Sequence, residues 1–161
     1  MTAIEYNSTV DQFSDALFRF IVKNLKDRDA ARDVVQDTFE KMWLKVDQVE
    51  FKKAKSYLFT TGYHTMIDKI RKEQRSGLLE EHHEDVVKTH NTYSDLGSIL
   101  EKALNTLNDI QRSVIMLRDY EGYSYDEIGE ITGLNESQVK VYIYRARLTL
   151  KNYLGSIEQV L

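Results

Sequence analysis

The stretch Tyr123–Leu150, YSYDEIGEITGLNESQVKVYIYRARLTL, decides how the chain is read. Ser124 and Glu127 have the S-x-x-E spacing of a capping box, in which hydroxyl and carboxylate each accept from the other residue's backbone N–H, so a helix is predicted to begin there. Ile128 and Ile131 supply its apolar stripe. Gly129 removes a side chain where a second helix must come close, and Gly133 supplies the left-handed turn that ends the first helix. Asn135 and Gln138 make a second capping box for the next helix. That helix has an apolar face of Val139, Ile143, Ala146 and Leu150 at helical spacing. Its other side carries Ser137, Lys140, Val141 and Tyr144, with Arg145, Arg147 and Lys151 following. A short helix, a glycine turn and a second helix with a basic, polar outer face make a helix-turn-helix, the architecture of a major-groove reader.

Working outward, the 161 residues with 42% hydrophobic content are enough for one ordinary domain or two small ones. The absence of cysteine excludes a disulfide framework and a thiolate metal site, and fits a reducing compartment. No apolar run approaches the ~18 residues of a membrane span, and MTAIEYNSTVDQF lacks the regions of a signal peptide. A cytoplasmic protein without membrane insertion is expected. The absence of proline favours long helices. The net charge of −4 argues at first against a nucleic-acid partner, but the charge is unevenly placed. Residues 1–75 carry a net +2, residues 76–98 a net −4 and residues 99–161 a net −2. Lys52–Arg75 alone has seven basic residues against Asp68 and Glu73. Local basic stripes on a mildly acidic chain point to weak DNA affinity alone, and to a larger partner that holds the chain on DNA.

Three helices are predicted in the N-terminal half. The first runs from about Thr9, capped by Thr9 and Gln12, to Leu25, with Val10, Phe13, Leu17, Phe20 and Ile21 on one face. The second follows Asp27-Arg28-Asp29 to about Val46, with a stripe of Val34, Val35, Phe39, Met42, Trp43 and Val46. After a polar connection, Asp47–Lys53, the third runs from about Ala54 to Arg75, with Leu58, Thr61, Thr65 and Ile70 inward. Its basic end, Lys69, Arg71, Lys72 and Arg75, also suits the helix dipole. Residues 76–98 show no sustained period and read as a flexible acidic linker, on the order of 70 Å long if extended. A second bundle follows: one helix with Ile99, Ala103, Leu104 and Leu107, another from Ile110 to Tyr120 with Val114, Ile115 and Leu117 inside, then the helix-turn-helix.

At this point the residues resemble a known family. Asp33-Val34-Val35-Gln36-Asp37-Thr38-Phe39, Ser56-Tyr57-Leu58-Phe59 and Ile67-Asp68-Lys69-Ile70-Arg71 are similar to successive signatures of the sigma-70 family of bacterial RNA polymerase initiation factors, in its compact extracytoplasmic-function (ECF) group. So are Leu104, Leu107, Gln111-Arg112, the run Glu121–Ile128, Val139-Lys140 and Arg145-Ala146-Arg147. The match covers nearly the whole chain. It implies an all-α fold of two helical domains: an N-terminal three-helix sigma-2-like bundle over 1–75 and a C-terminal sigma-4-like helix-turn-helix domain over 99–161, joined by the linker 76–98.

The resemblance also implies roles. Asp33, Gln36, Asp37 and Glu40, along one helix face, would dock on core RNA polymerase. The connection Val49–Lys55 and the helix from Tyr57 would capture an unpaired base of the −10 element. An unstacked base needs an aromatic platform, for which Tyr57, Phe59 and Tyr63 are candidates, with Phe59 or Tyr63 expected to be exposed and Tyr57 half-buried. Lys52, Lys53, Lys55, Lys69, Arg71 and Lys72 would track phosphates, beside His64. Glu136, Ser137, Gln138, Lys140, Val141 and Tyr144 would reach −35 base edges or nearby phosphates, while Arg145 and Arg147 sit on phosphates or brace the domain. An anti-sigma factor is a further partner that the family implies. Two departures stand out. Lys140-Val141-Tyr142 replaces the family's frequent Lys-Ser-Arg, and Tyr63-His64 replaces its frequent Arg-Asn.

The expected function is promoter recognition with core RNA polymerase and promoter DNA as partners. No nucleophile–base pair, phosphate-binding loop or metal motif is visible, so no enzyme activity, cofactor or metal is expected. The histidines His82, His83 and His90 lack a defined ligand scaffold. The rival reading is a stand-alone helix-turn-helix regulator, which would bind an operator tightly without polymerase.

Overall fold

The computed structural model describes residues 1–76 and 95–160. Among these, seven α-helices and no strands are present. The chain divides into two compact units. The first holds α1 (Ala3–Leu25), α2 (Arg28–Leu44) and α3 (Ala54–Ser76). The second holds α4 (Asp95–Asn105), α5 (Asp109–Ile115), most of α6 (Tyr125–Thr132) and all of α7 (Glu136–Val160). The all-α expectation is met. The helix α4 begins inside the stretch expected to be linker; residues 77–94, with the three linker histidines, lie outside the described residues.

In the first unit, α1 starts at Ala3 rather than near Thr9. Thr2 and Glu5 form the capping box, with Glu5 N donating to Thr2 Oγ1 at 3.1 Å and Thr2 N to Glu5 Oε1 at 2.8 Å. Thr9 is instead a buried mid-helix residue whose hydroxyl bonds back to the Glu5 carbonyl at 2.8 Å, which satisfies the hydroxyl in the interior. Lys26 ends α1 in the left-handed region, and Asp27 caps α2 by accepting from Ala30 N at 3.1 Å. The core combines Leu17, Phe20 and Ile21 of α1, Ala31, Val34, Phe39 and Met42 of α2, and Leu58, Phe59, Gly62, Tyr63 and Met66 of α3. The Phe20 and Phe59 rings lie 5.6 Å apart in a tilted pair. Gly62 lets α1 in close: a Cβ there would sit 2.9 Å from Leu17 Cδ1.

In the second unit, Arg112 holds the α4–α5 corner. It is 2% exposed and spends its guanidinium on local acceptors: Nε donates to Leu104 O at 3.0 Å, Nη2 to Leu107 O at 2.6 Å and Nη1 to Asp109 Oδ1 at 3.2 Å. Leu104 O, in the last turn of α4, also accepts from Leu107 N at 3.1 Å, whereas Leu107 O lies beyond the helix end. Burial pushes the Arg112 pKa down, and Asp109 opposes that shift. After α5 the backbone widens into a π-helical turn, Met116–Tyr120. Both predicted capping boxes of the helix-turn-helix are formed, at Ser124/Glu127 and at Asn135/Gln138. Gly133 has φ +80°, as the turn requires. Gly129 serves a different purpose from the one expected. A Cβ there would meet the Leu134 carbonyl oxygen at 2.8 Å, so the close neighbour is the backbone of the turn itself and not a second helix.

Two helical glycines of the second unit should respond oppositely to alanine. Gly129→Ala should destabilise the second unit by about 1–3 kcal/mol, because a backbone carbonyl must move. Gly155→Ala, also within a helix but with nothing within 4 Å of its Cβ, should stabilise it by about 0.5–1 kcal/mol. Urea unfolding followed by far-ultraviolet circular dichroism distinguishes the two. Arg112→Met should cost about 1–3 kcal/mol, since it leaves the Leu107 carbonyl without its donor. Amide hydrogen exchange in α4 and α5 should report that loss, while exchange in α1–α3 stays as it was.

Candidate functional surfaces

The first surface lies on α2. Its buried face is Ala31, Val34, Thr38, Phe39 and Met42. Asp33, Gln36, Asp37 and Glu40 therefore all point outward and are exposed, on one ridge. Asp37 has no ion-pair partner among the described residues, whereas Asp33 faces Lys69 of α3 at 4.0 Å. The same ridge continues into Trp43 and Leu44, which are 48% and 78% exposed. The sequence reading put Trp43 on the inward stripe. Instead its ring packs edge-on against Tyr6 at 5.0 Å, and the Tyr6 hydroxyl donates to Phe39 O at 2.9 Å.

The second surface joins the α2–α3 connection to α3. Lys45, Gln48, Val49, Glu50, Lys53 and Tyr57 line an open cleft of about 340 Å³. The connection is tied down from the start of the chain: the Met1 amine donates to Val46 O at 2.6 Å and to Val49 O at 2.9 Å. Tyr57 is half-buried, as expected, and forms one wall of the cleft. Phe59 and Tyr63 correct the expectation. They are 0% and 6% exposed, so neither offers a ring face to an unstacked base. The reason is the register of α3. Residues 58, 59, 62, 63 and 66 recur at helical spacing around Gly62, where α1 approaches, and this stripe faces inward. Thr61, Thr65 and Ile70, expected inward, are half-buried at its edges. His64 is exposed beside the Tyr63 ring. Lys52, Lys53, Arg71 and Lys72 are exposed, and Lys55 and Lys69 are half-buried. Lys45 and Gln48 were missed because the polar connection carries no periodic signal.

The third surface is the outer side of α7. Val139, Ile143 and Ala146 are buried, which leaves Glu136, Ser137, Gln138, Lys140, Val141, Tyr144, Arg145 and Arg147 exposed. These residues are not equally free. Gln138 Oε1 is occupied by the Asn135 N–H at 2.9 Å. Lys140 pairs with Glu136 at 3.2 Å and lies over the Tyr125 ring at 5.9 Å. Arg147 bonds Asp119 at 2.8 Å and so braces α7 against the π-helical turn. Arg145 has no such partner among the described residues and is the free cation of the pair. Arg118 and Tyr125 escaped the sequence reading. Arg118 stacks on the Tyr125 ring at 4.6 Å while donating to Tyr123 O at 2.9 Å. Only the fold brings that ring between Arg118 and Lys140.

Among the described residues, no group of His, Asp and Glu could hold a metal ion, and no helix is long and apolar enough to cross a membrane. Comparison with known proteins matches residues 9–76 to sigma-70 region 2 and residues 98–150 to sigma-70 region 4. The ECF RNA polymerase sigma factor SigM of Bacillus subtilis is 24% identical over 152 residues, covering 89% of this chain and 93% of that protein. The RNA polymerase sigma factor YlaC of the same organism is 27% identical over 150 residues, covering 87% and 86%. Among solved structures, the sigma factor RpoE of Bartonella quintana, in complex with the anti-sigma factor NepR, superposes with a TM-score of 0.79 at 30% identity, covering 93% of this chain and 96% of that one. With both regions matched in order and a relative similar over nearly its full length, the chain belongs to the ECF group of the sigma-70 family, factors that direct RNA polymerase to promoters.

Proposed function

We propose that the three outward surfaces divide the work of promoter recognition. The α2 ridge of Asp33, Gln36, Asp37 and Glu40 binds core RNA polymerase. The outer side of α7 enters the major groove at the −35 element, where Ser137, Lys140, Val141 and Tyr144 meet base edges and Arg145 takes a phosphate. The cleft beside Tyr57 receives an unstacked base of the −10 strand, and Lys52, Lys53, Lys55, Lys69, Arg71 and Lys72 follow its backbone. Tyr57 is the stacking platform because Phe59 and Tyr63 are committed to the core. Arg118 and Tyr125 join the −35 surface as a stacked pair that holds Lys140 in place.

The observation that carries the reading is the exposed α2 ridge. Its amide and carboxylates sit on a helix whose opposite face is core, and among the described residues only Asp33 of the four has an ion-pair partner. Work of this kind leaves RNA synthesis to the polymerase and places the chain in the cytoplasm. Since the RpoE relative was solved with an anti-sigma factor, a partner of that class is proposed here too.

Three experiments test the assignment. Replacing Gln36 and Asp37 together by Ala should weaken binding to purified bacterial core polymerase by about tenfold or more, in line with the loss of charge-assisted hydrogen bonds. Unchanged affinity would remove the ridge from the interface. On DNA, Tyr57→Ala should slow promoter opening by roughly 5- to 150-fold, the equivalent of losing about 1–3 kcal/mol of base stacking. Permanganate reactivity of −10 thymines reads this directly. A parallel titration separates the two arginines: Arg145→Gln should reduce the salt slope of −35 duplex binding by about 1. Arg147→Gln should instead lower thermal stability, with a smaller change in slope.

A further inference from the structure

The ion pair between Asp33 and Lys69 joins two of these surfaces. Lys69 Nζ of α3 lies 4.0 Å from Asp33 Oδ2 of α2, with side chains 31% and 68% exposed. It is a contact between helices, not a local one along a single helix. A second lysine crosses the same seam in the other direction, Lys41 Nζ donating to Thr65 Oγ1 at 2.9 Å. The seam is thus stitched by two lysines, but only one stitch uses groups assigned to both polymerase and DNA. While the Asp33 carboxylate faces Lys69, part of its charge is withheld from a basic group on another protein. While the ammonium faces Asp33, part of its charge is withheld from a phosphate.

We infer that the Asp33–Lys69 pair couples the polymerase surface to the −10 surface. A basic group of the polymerase that draws Asp33 away releases Lys69 for the DNA backbone. By reciprocity, a phosphate that captures Lys69 releases Asp33 for the polymerase. The chain therefore holds DNA less well alone than when docked. This inference rests on the assignment of Asp33 to polymerase and Lys69 to DNA. The pair is exposed to solvent, so the coupling is small, about two- to fivefold, and shrinks with added salt. Arg71 and Lys72, exposed and without an ion-pair partner among the described residues, are not held in this way and supply the ungated part of the attraction.

The test measures the affinity of the full chain for purified core polymerase without DNA, by fluorescence anisotropy at low salt. Lys69→Gln should bind core about two- to fivefold more tightly, because Asp33 is freed. Arg75→Gln, which removes the same charge further along α3, should leave the affinity unchanged. Asp33→Asn should weaken core binding, and should also tighten binding of the free chain to a mixed-sequence 20-nucleotide single strand. That gain should vanish in the Lys69→Gln background. If Asp33→Asn weakens core binding while Lys69→Gln fails to strengthen it, the coupling is wrong and the surface assignment survives. If Asp33→Asn binds core as well as the parent does, the surface assignment itself falls, and the coupling with it. An equal gain from Arg75→Gln would mean that only total charge matters, which also overturns the coupling.

Discussion

Each helix of the first unit has one apolar face to bury, and the choice of that face decides what is left to act on partners. In α2 the buried residues are Ala31, Val34, Thr38, Phe39 and Met42. Their burial turns Asp33, Gln36, Asp37 and Glu40 outward as a set, since residues at these spacings share one side of a helix. In α3 the close approach of Leu17 to Gly62 turns Phe59 and Tyr63 inward. That places Tyr57 in the wall of the cleft beside Lys45 and Lys53, and leaves Arg71 and Lys72 exposed further along α3. A Cβ at position 62 would require the Leu17 side chain to repack within the core between α1 and α3.

The second unit meets the same constraint at its helix ends. The helix-turn-helix is short, and its angle depends on a few backbone groups: two capping boxes, the left-handed Gly133, and the contact that Gly129 leaves open for the Leu134 carbonyl. Arg112 ties the α4–α5 corner together by donating to the Leu104 carbonyl in the last turn of α4 and to the Leu107 carbonyl beyond it. Arg147 fixes α7 to Asp119. A major-groove reader must hold its helix steady while the outer side chains adapt, and here the steadying groups and the groups proposed to contact DNA are different residues. Arg145 and Arg147, alike in sequence, fall on opposite sides of that division.

Capping boxes were legible in advance because they are local: Ser124/Glu127 and Asn135/Gln138 need only a spacing of three residues. The outward ridge of α2 was legible for a similar reason, since its apolar partners repeat clearly. The Thr2/Glu5 box was equally local, but Thr9 and Gln12 offered a competing start closer to the apolar run. Phe59 and Tyr63 were misassigned because α3 is rich in threonine, aromatic and basic residues, so two rotations of the helix look similar. Tertiary contact through Gly62 selects between them. The Arg118–Tyr125–Lys140 stack and the Arg147–Asp119 pair join residues from separate elements, and nothing in their spacing announces them.

The three proposed surfaces act together only on a polymerase at a promoter, so the most direct measurement is run-off transcription. Purified bacterial core RNA polymerase is combined with genomic DNA fragments, with and without the chain, and the 5′ ends of the transcripts are mapped. Discrete starts that appear only when the chain is present, downstream of a shared pair of −35 and −10 sequences, are the expected result. Tight binding of the chain alone to a duplex operator, with no transcript starts added to those of core polymerase, would contradict the initiation-factor account and leave a stand-alone regulator in its place.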